Sequence, residues 1–209
     1  MMLVNSFAFG SPSNLLLTFS GANNSNVFVD SSSFNHTITT VGTPIQFNGL
    51  GVFDGNGYIY ADTLPSFLAK DFTITGAFSI SSWPSGFQNP AVCGYTNGTG
   101  VSHLGILVGA AVGGLGYKKL IFMTRDEVGT THYIVHQDDI TLNVVHTFKA
   151  ERLNGFVRLF IDDIEASSSY AIGSASLTND SSRFCIGGGG GLYELFNGLI
   201  AEINVVVKG

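Results

Sequence analysis

The stretch Thr73-Ile74-Thr75-Gly76-Ala77-Phe78-Ser79-Ile80 alternates apolar residues with small ones, the period-two pattern of a strand rather than the 3.6 period of an amphipathic helix. Further along, Val157-Arg158-Leu159-Phe160-Ile161 behaves the same way. Segments of this kind, alternating or running apolar, recur at short and regular intervals between turn residues, and nothing reads as a long amphipathic helix. With 17 Phe and many β-branched residues, the chain suits pleated, half-buried surfaces. Closely spaced strands without intervening helices predict an all-β fold, a sandwich of two antiparallel sheets rather than a parallel βαβ sheet.

A length of 209 residues fits one such sandwich. No Pro-rich, Gly/Ser-rich or highly charged linker interrupts the chain, and no internal repeat is visible. The expected organisation is an N-terminal arm or extension over residues 1–13, with Phe7, Phe9 and Pro12 as candidate contacts to a neighbouring subunit, followed by one domain over 14–209.

Charged residues are only 11% of the chain, against about 25% in an ordinary soluble protein. The first 117 residues contain just Asp30, Asp54, Asp62, Lys70 and Asp71, and none lies between Phe72 and Tyr117. Much of that bare half is expected to face other protein. A net charge of −6 with nine Lys plus Arg, none of them clustered, excludes nucleic acid as a partner. The longest apolar run, Leu104 to Tyr117, has 14 residues diluted by five glycines and falls short of the roughly 20 that a membrane helix needs. Its Gly105, Gly109 and Gly113 read as a bend between short buried strands. The start of the chain shows neither a basic region nor a continuous apolar one, so synthesis in the cytoplasm is expected. Cys93 and Cys185 are too few for a disulfide framework and are expected as buried free thiols. The sequons at Asn23, Asn35, Asn97 and Asn179 follow from the abundance of Asn, Ser and Thr.

Several segments carry a resemblance. Asn14-Leu-Leu-Leu-Thr-Phe-Ser20, the loop Phe28-Val-Asp-Ser-Ser-Ser-Phe-Asn-His-Thr37, and Phe47-Asn-Gly-Leu-Gly-Val-Phe-Asp-Gly-Asn-Gly-Tyr-Ile59 occur in order. They are followed by Lys70-Asp-Phe-Thr-Ile74 with Trp83-Pro84, the hairpin Leu159-Phe-Ile-Asp-Asp-Ile164, then Phe184-Cys-Ile-Gly-Gly188 and Phe196-Asn-Gly-Leu-Ile200. Their succession, from Asn14 to Val207, resembles laminin G-like domains of the concanavalin A-like superfamily, especially those of bacteriophage virion proteins. The resemblance implies a jelly-roll sandwich, a virion location after synthesis in the host cytoplasm, and partners among capsid or tail subunits, with homo-oligomers expected. It departs at Ala77-Phe78, where the family often has Trp, and at Ala201 before Glu202, where the last strand often has an acidic residue. No cofactor is expected beyond Ca²⁺, which some laminin G-like domains bind. Asp30 and Asp54 are the candidate ligands by that analogy.

Motifs that carry chemistry are missing. Retaining glucanases of this superfamily place Glu-x-Asp-x-x-Glu on one strand so that alternate carboxylates face one cleft, but Glu127, Glu151, Glu165, Glu194 and Glu202 are the only glutamates and none begins that motif. His132 and His136 would share a metal on a helix, yet on a strand they stand about 13 Å apart. Solvent-facing or hydrogen-bonded histidines on alternating positions are expected instead. Asp138-Asp139 and Asp162-Asp163 offer oxygen ligands for Ca²⁺, and the second pair falls where the resemblance implies an Asp-Gly hairpin turn, a conformation that Asp tolerates. The run Gly187 to Gly191 has no following helix and no Lys to make a phosphate loop, and no Gly-x-Ser-x-Gly elbow is present. The protein is expected not to be an enzyme.

Two functions fit. The first is a non-catalytic virion structural protein, a capsid decoration or tail-associated subunit whose weakly charged surface packs on other virion proteins. The alternative is a glycan-binding adhesin of a tail fibre, in which Trp83, Phe87, Tyr95 and Asn97 at a loop end would stack on and hydrogen-bond a polysaccharide.

Overall fold

The computed structural model describes residues 13–62, 64, 69–83, 89–96, 101–109, 116–177, 183–188 and 195–208. Among these, the strands in chain order are β1 (Leu15–Leu17), β2 (Ile38–Gly42), β3 (Ile45–Phe47), β4 (Leu50–Asp54), β5 (Gly57–Ala61), β6 (Phe72–Ile80), β7 (Ala91–Thr96) and β8 (Val101–Val108). They continue with β9 (Lys119–Arg125), β10 (Thr131–Asp139), β11 (His146–Leu153), β12 (Phe156–Ile161), β13 (Ile164–Glu165), β14 (Tyr170–Ala171), β15 (Arg183–Ile186) and β16 (Asn197–Val207). The first sheet runs β13-β12-β11-β6-β16-β4-β3, with β1 also on β16 and β14 on β12; the second runs β10-β9-β8-β7-β15-β5-β2. Every pairing between these strands is antiparallel. The fold is an all-β sandwich of two antiparallel sheets, and the alternation read at Thr73–Ile80 is the central strand of the first.

Turn chemistry sets the registers. Asn48-Gly49 joins β3 to β4, Asn154-Gly155 joins β11 to β12, and Asp162-Asp163 joins β12 to β13. All six residues have φ between 49° and 78°, the left-handed pair that a two-residue hairpin turn requires. The second aspartate pair is therefore the turn its sequence position implied. Asp162 also accepts from His146 Nδ1 at 2.8 Å and from Thr147 N at 2.8 Å, while His146 Nε2 accepts from Thr141 N at 3.2 Å.

The core between the sheets is Phe-rich. Phe53, Phe72, Phe78, Phe122, Phe148, Phe184 and Phe196 are fully buried, each burial contributing about 1.5–3 kcal/mol. Phe72 of the first sheet meets Phe122 of the second edge-on, with centroids 6.4 Å apart at 88°, a favoured aromatic geometry. All nine residues of β6 are buried, as are the residues of β7 and β8 whose side chains are described. The described part of the charge-free stretch from Phe72 to Tyr117 is thus largely interior to this domain. Its lack of charge follows from burial within the chain and needs no covering partner. Cys93 and Cys185 are buried free thiols on neighbouring strands. Cys93 pairs with Ile186 and Cys185 with Gly94, so the two side chains leave the sheet on opposite faces.

Candidate functional site

The loop between β1 and β2 is built around one carboxylate. Asp30 is 2% exposed. Its Oδ1 accepts from Leu16 N and Ser32 N, both at 2.9 Å, and its Oδ2 accepts from Ser32 Oγ and His36 N, both at 2.8 Å. Burial pushes the Asp30 carboxyl upward, but the hydrogen bonds from Leu16, His36 and Ser32 outweigh it and hold it below the ordinary aspartate range. With its lone pairs taken by protein donors, Asp30 organises a loop rather than presenting oxygens to an ion. Asn14 and His36 complete the lock: Asn14 Oδ1 accepts from Val207 N at 2.6 Å, and His36 Nε2–H donates to Asn14 O at 2.9 Å.

Gln46 braces the loop from the other side. It is buried on β3, its Oε1 accepts from Gly21 N at 2.9 Å and its Nε2 donates to Val27 O. Its backbone N–H donates to Ser25 O and its C=O accepts from Asn24 N, both at 2.7 Å. Phe19, at φ 50°, turns the chain out of β1 and packs on Phe28 edge-on, centroids 5.9 Å apart at 85°. That conformation is uncommon for a bulky residue and is held here by the ring's burial.

These constraints leave a cleft of about 190 Å³ lined by Leu17, Phe19, Ser20, Gly21, Phe28, Val29, Ser31 and Gln46. Leu17, Phe19, Phe28 and Gln46 are buried and form its floor, whereas Ser20, Gly21, Val29 and Ser31 are exposed and form its rim. Beside it, the exposed side chains Val27, Val29 and Phe34 stand out of the loop. Phe34 is stacked on His36 with an interplanar angle of 2° and centroids 5.9 Å apart. The volume is below the roughly 300–1,000 Å³ of pockets for drug-sized ligands and equals about six waters at about 30 Å³ each. It suits one small ring with an apolar face and polar edges. Among the described residues no carboxylate lines the cleft.

The residues singled out from sequence lie elsewhere. Tyr95 is 3% exposed and packs edge-on against Phe184 at 5.3 Å and 80°. It is a core ring and presents no face to a sugar, because its position on β7 points into the sandwich. Trp83 is partly buried against the core and lies 6.4 Å from the Tyr117 ring at 48°. Phe87, Asn97, Phe7, Phe9 and Pro12 fall outside the described residues. Asp54 is exposed. Its Oδ1 and Oδ2 both accept from Thr43 Oγ1 at 2.9 Å and its Oδ1 from Asn56 N at 3.0 Å. Slight burial raises its carboxyl, and these bonds more than reverse that, so Asp54 fastens the corner between β4 and β5.

His132 and His136 share the inward face of β10 but have separate partners. His132 Nε2 meets Asp126 Oδ2 at 3.1 Å and its ring stacks on Tyr170 at 3.9 Å, while His136 donates through Nε2 to Ile164 O at 3.0 Å. Among the described residues no group of three or more His, Cys, Asp or Glu is arranged to hold a metal. The cleft escaped sequence reasoning because its floor comes from Phe and Leu residues indistinguishable from core. The one available signal was Asp30 with Ser32 and His36, quoted above as a family loop.

No protein-family model and no curated protein sequence matches the chain. Solved structures do. The binding domain of Paraclostridial Mosquitocidal Protein 1 superposes with a TM-score of 0.71 at 12% identity over 95% of this chain and 49% of that one. The binding domain of Botulinum Neurotoxin serotype G gives 0.66 at 14% identity, over 93% of this chain and 47% of that one. This chain therefore spans about half the length of those toxin domains. Domain 4 of AbnA, a GH43 extracellular arabinanase from Geobacillus stearothermophilus, solved in complex with arabinotriose, gives 0.69 at 17% identity over 95% of this chain and 93% of that one. At these identities the likeness shows the fold alone, a two-sheet antiparallel β-sandwich.

Proposed function

We propose that this chain is a non-catalytic carbohydrate-binding domain whose cleft, between the Asp30 loop and Gln46, receives a single sugar ring. The observation that carries the reading is the cleft itself: an aromatic floor of Phe19 and Phe28 under a rim of Ser20 and Ser31, about 190 Å³ in volume. Its walls are fixed in advance by Asp30 and Gln46, which limits the ordering cost of binding. Sugars present apolar C–H faces and peripheral hydroxyls, and this is the complementary surface. The fold supports the reading, since two of the similar structures are toxin binding domains and a third, domain 4 of an arabinanase, was solved in complex with arabinotriose. The virion structural role retains only the sequence resemblance behind it. None of the structures named above is a virion protein, and β6, β7 and β8, which carry most of the described charge-free stretch that suggested a covered surface, are interior.

Ser31→Trp, which fills the exposed rim without touching the core, tests the proposal. A glycan array followed by calorimetry on the hits should show saturable binding by the native protein and a loss of at least tenfold in the variant at unchanged Tm. A native protein that binds no glycan, or a variant that binds equally well, would overturn it.

A further inference from the structure

The outer face of the first sheet, turned away from the second, carries a second feature. Register places side chains in rows across it: Phe160, Lys149, Thr75, Asn204 and Leu16 form one row, and Arg158, Glu151, Thr73 and Val206 the next. The central strip of β6 on this face consists of small residues, Thr73, Thr75, Ala77 and Ser79, all buried. Longer side chains flank it, with Lys149, Glu151, Arg158 and Phe160 on one side and Leu16, Leu50 and Val52 on the other. The result is a trough about 20 Å long, six residue steps at about 3.3 Å each. It opens at one end into a small apolar hollow of about 50 Å³ lined by Leu50, Ala77, Ser79, Val145, Leu199 and Ala201.

Two polar atoms on the floor have no partner. Thr75 Oγ1 and Asn204 Oδ1 are buried and unbonded, on side chains 1% and 6% exposed, in cross-strand register with each other. Buried polar side chains are nearly always satisfied, and each exception calls for a reason. A sheet face with only a structural role would carry Val and Leu at these positions at no loss of stability. The wall charges are almost balanced: Lys149 and Arg158 stand with Glu151, Glu165 and Glu202, and Lys149–Glu151, Arg158–Glu151 and Arg158–Glu165 approach at 3.4, 3.9 and 3.6 Å. Such a trough has no net attraction for a polyanion.

From the orphaned Thr75–Asn204 pair on the floor of this trough, we infer a second binding site, one that takes an extended, uncharged, polyhydroxylated chain several sugar units long. It rests on the carbohydrate reading above but occupies a different face of the sandwich from the cleft. One ligand hydroxyl, acting as donor to Asn204 Oδ1 and acceptor from Thr75 Oγ1, satisfies both atoms once the side chains that bury them move aside. The apolar hollow receives a sugar face further along the chain.

The test compares four proteins, native, Ser31→Trp, Thr75→Val/Asn204→Leu and both sets combined, by affinity gel electrophoresis in soluble linear glucan, xylan, arabinan and mannan, with Tm measured in parallel. The expected result is retardation of the native and Ser31→Trp proteins in at least one polymer. Retardation is lost, at least tenfold in apparent affinity, in Thr75→Val/Asn204→Leu, whose Tm is unchanged or rises by about 2–4 °C. If that variant fails to fold, each single substitution serves in its place. Retention of polymer binding by the variant overturns the trough while leaving the cleft intact, as does a Tm that falls by several degrees. Absence of binding by the native protein to every polymer and to every glycan on the array overturns both.

Discussion

Replacing Asp30 by Asn isolates the charge that holds the cleft together. The amide is isosteric, so its oxygen still accepts from Leu16 N and Ser32 N, each 2.9 Å from Oδ1 in the native protein. Its NH₂, however, takes the place of Oδ2, which accepts from His36 N and Ser32 Oγ at 2.8 Å. The Ser32 hydroxyl can rotate and accept instead. The His36 N–H cannot, and is left facing another donor. One buried orphan donor and the lost charge assistance in the remaining bonds together cost about 2–4 kcal/mol. Urea unfolding at pH 7 should show that loss as a lower midpoint at an unchanged m-value. Because the native carboxyl is held below its ordinary value of about 3.9, its contribution is complete above that pH and is lost as pH falls through the lower folded value. The gap between native protein and variant should therefore narrow below about pH 4, where the native side chain becomes a neutral isostere of Asn. Asp30 also separates Val29 from Ser31 on the rim, so glycan binding should weaken with stability. A loss under about 0.5 kcal/mol, or a gap that does not change with pH, would refute the assignment of Asp30 as the organising charge.

Other perturbations follow from the same contacts. Glu202 is raised by burial, so its ionised form opposes folding; Glu202→Gln should stabilise the protein at pH 7 and lose that advantage near pH 3, checked by denaturation at both values. Gly187 has φ 77°, and a Cβ there would lie 2.1 Å from Phe53; Gly187→Ala should destabilise by more than about 3 kcal/mol, visible as a collapse of Tm. Burial pushes the Cys185 thiol up to about 12 and Cys93 higher still, so neither should react with a thiol reagent at pH 8 until the protein unfolds. Arg152 is 2% exposed, donates from Nη2 to Gly173 O at 2.9 Å, and leaves Nε and Nη1 unbonded. Arg152→Met should be neutral or stabilising in urea unfolding.

The fold was legible because strand alternation and hairpin turns are local signals. Thr73–Ile80 could be read as a strand from eight residues, and Asp162-Asp163 as a turn from two, since period two and positive φ constrain side-chain type directly. Burial was not local. The bare stretch from Phe72 to Tyr117 looked like a surface awaiting a partner because composition cannot say which strands lie at the middle of a sheet. Once β6, β7 and β8 occupy the centres of their sheets, residues on both faces lose water and charges are excluded. The same ambiguity misplaced Tyr95, an aromatic whose sequence neighbours suggest a loop and whose position on β7 points it at Phe184.

Binding surfaces in a sandwich are assembled across strands that are far apart in sequence, so their residues carry no common motif. Leu17, Phe28 and Gln46 meet at the cleft from β1, a loop and β3, while Thr75 and Asn204 meet on the outer face from strands more than a hundred residues apart. What sequence can betray is the residue that fixes such an arrangement when its partners are local, as Asp30 is fixed by Ser32 and His36. The family resemblance offered Asp30 as a calcium ligand; in the structure its two oxygens accept four hydrogen bonds from protein donors. A carboxylate surrounded by short polar residues within six positions is supplied with N–H and O–H donors from its own loop: three of the four bonds to Asp30 come from Ser32 and His36, and only the fourth, from Leu16 N, needs β1. Between two uses of one aspartate, the deciding quantity is the number of protein donors within reach, and that can be counted only once the loop has closed.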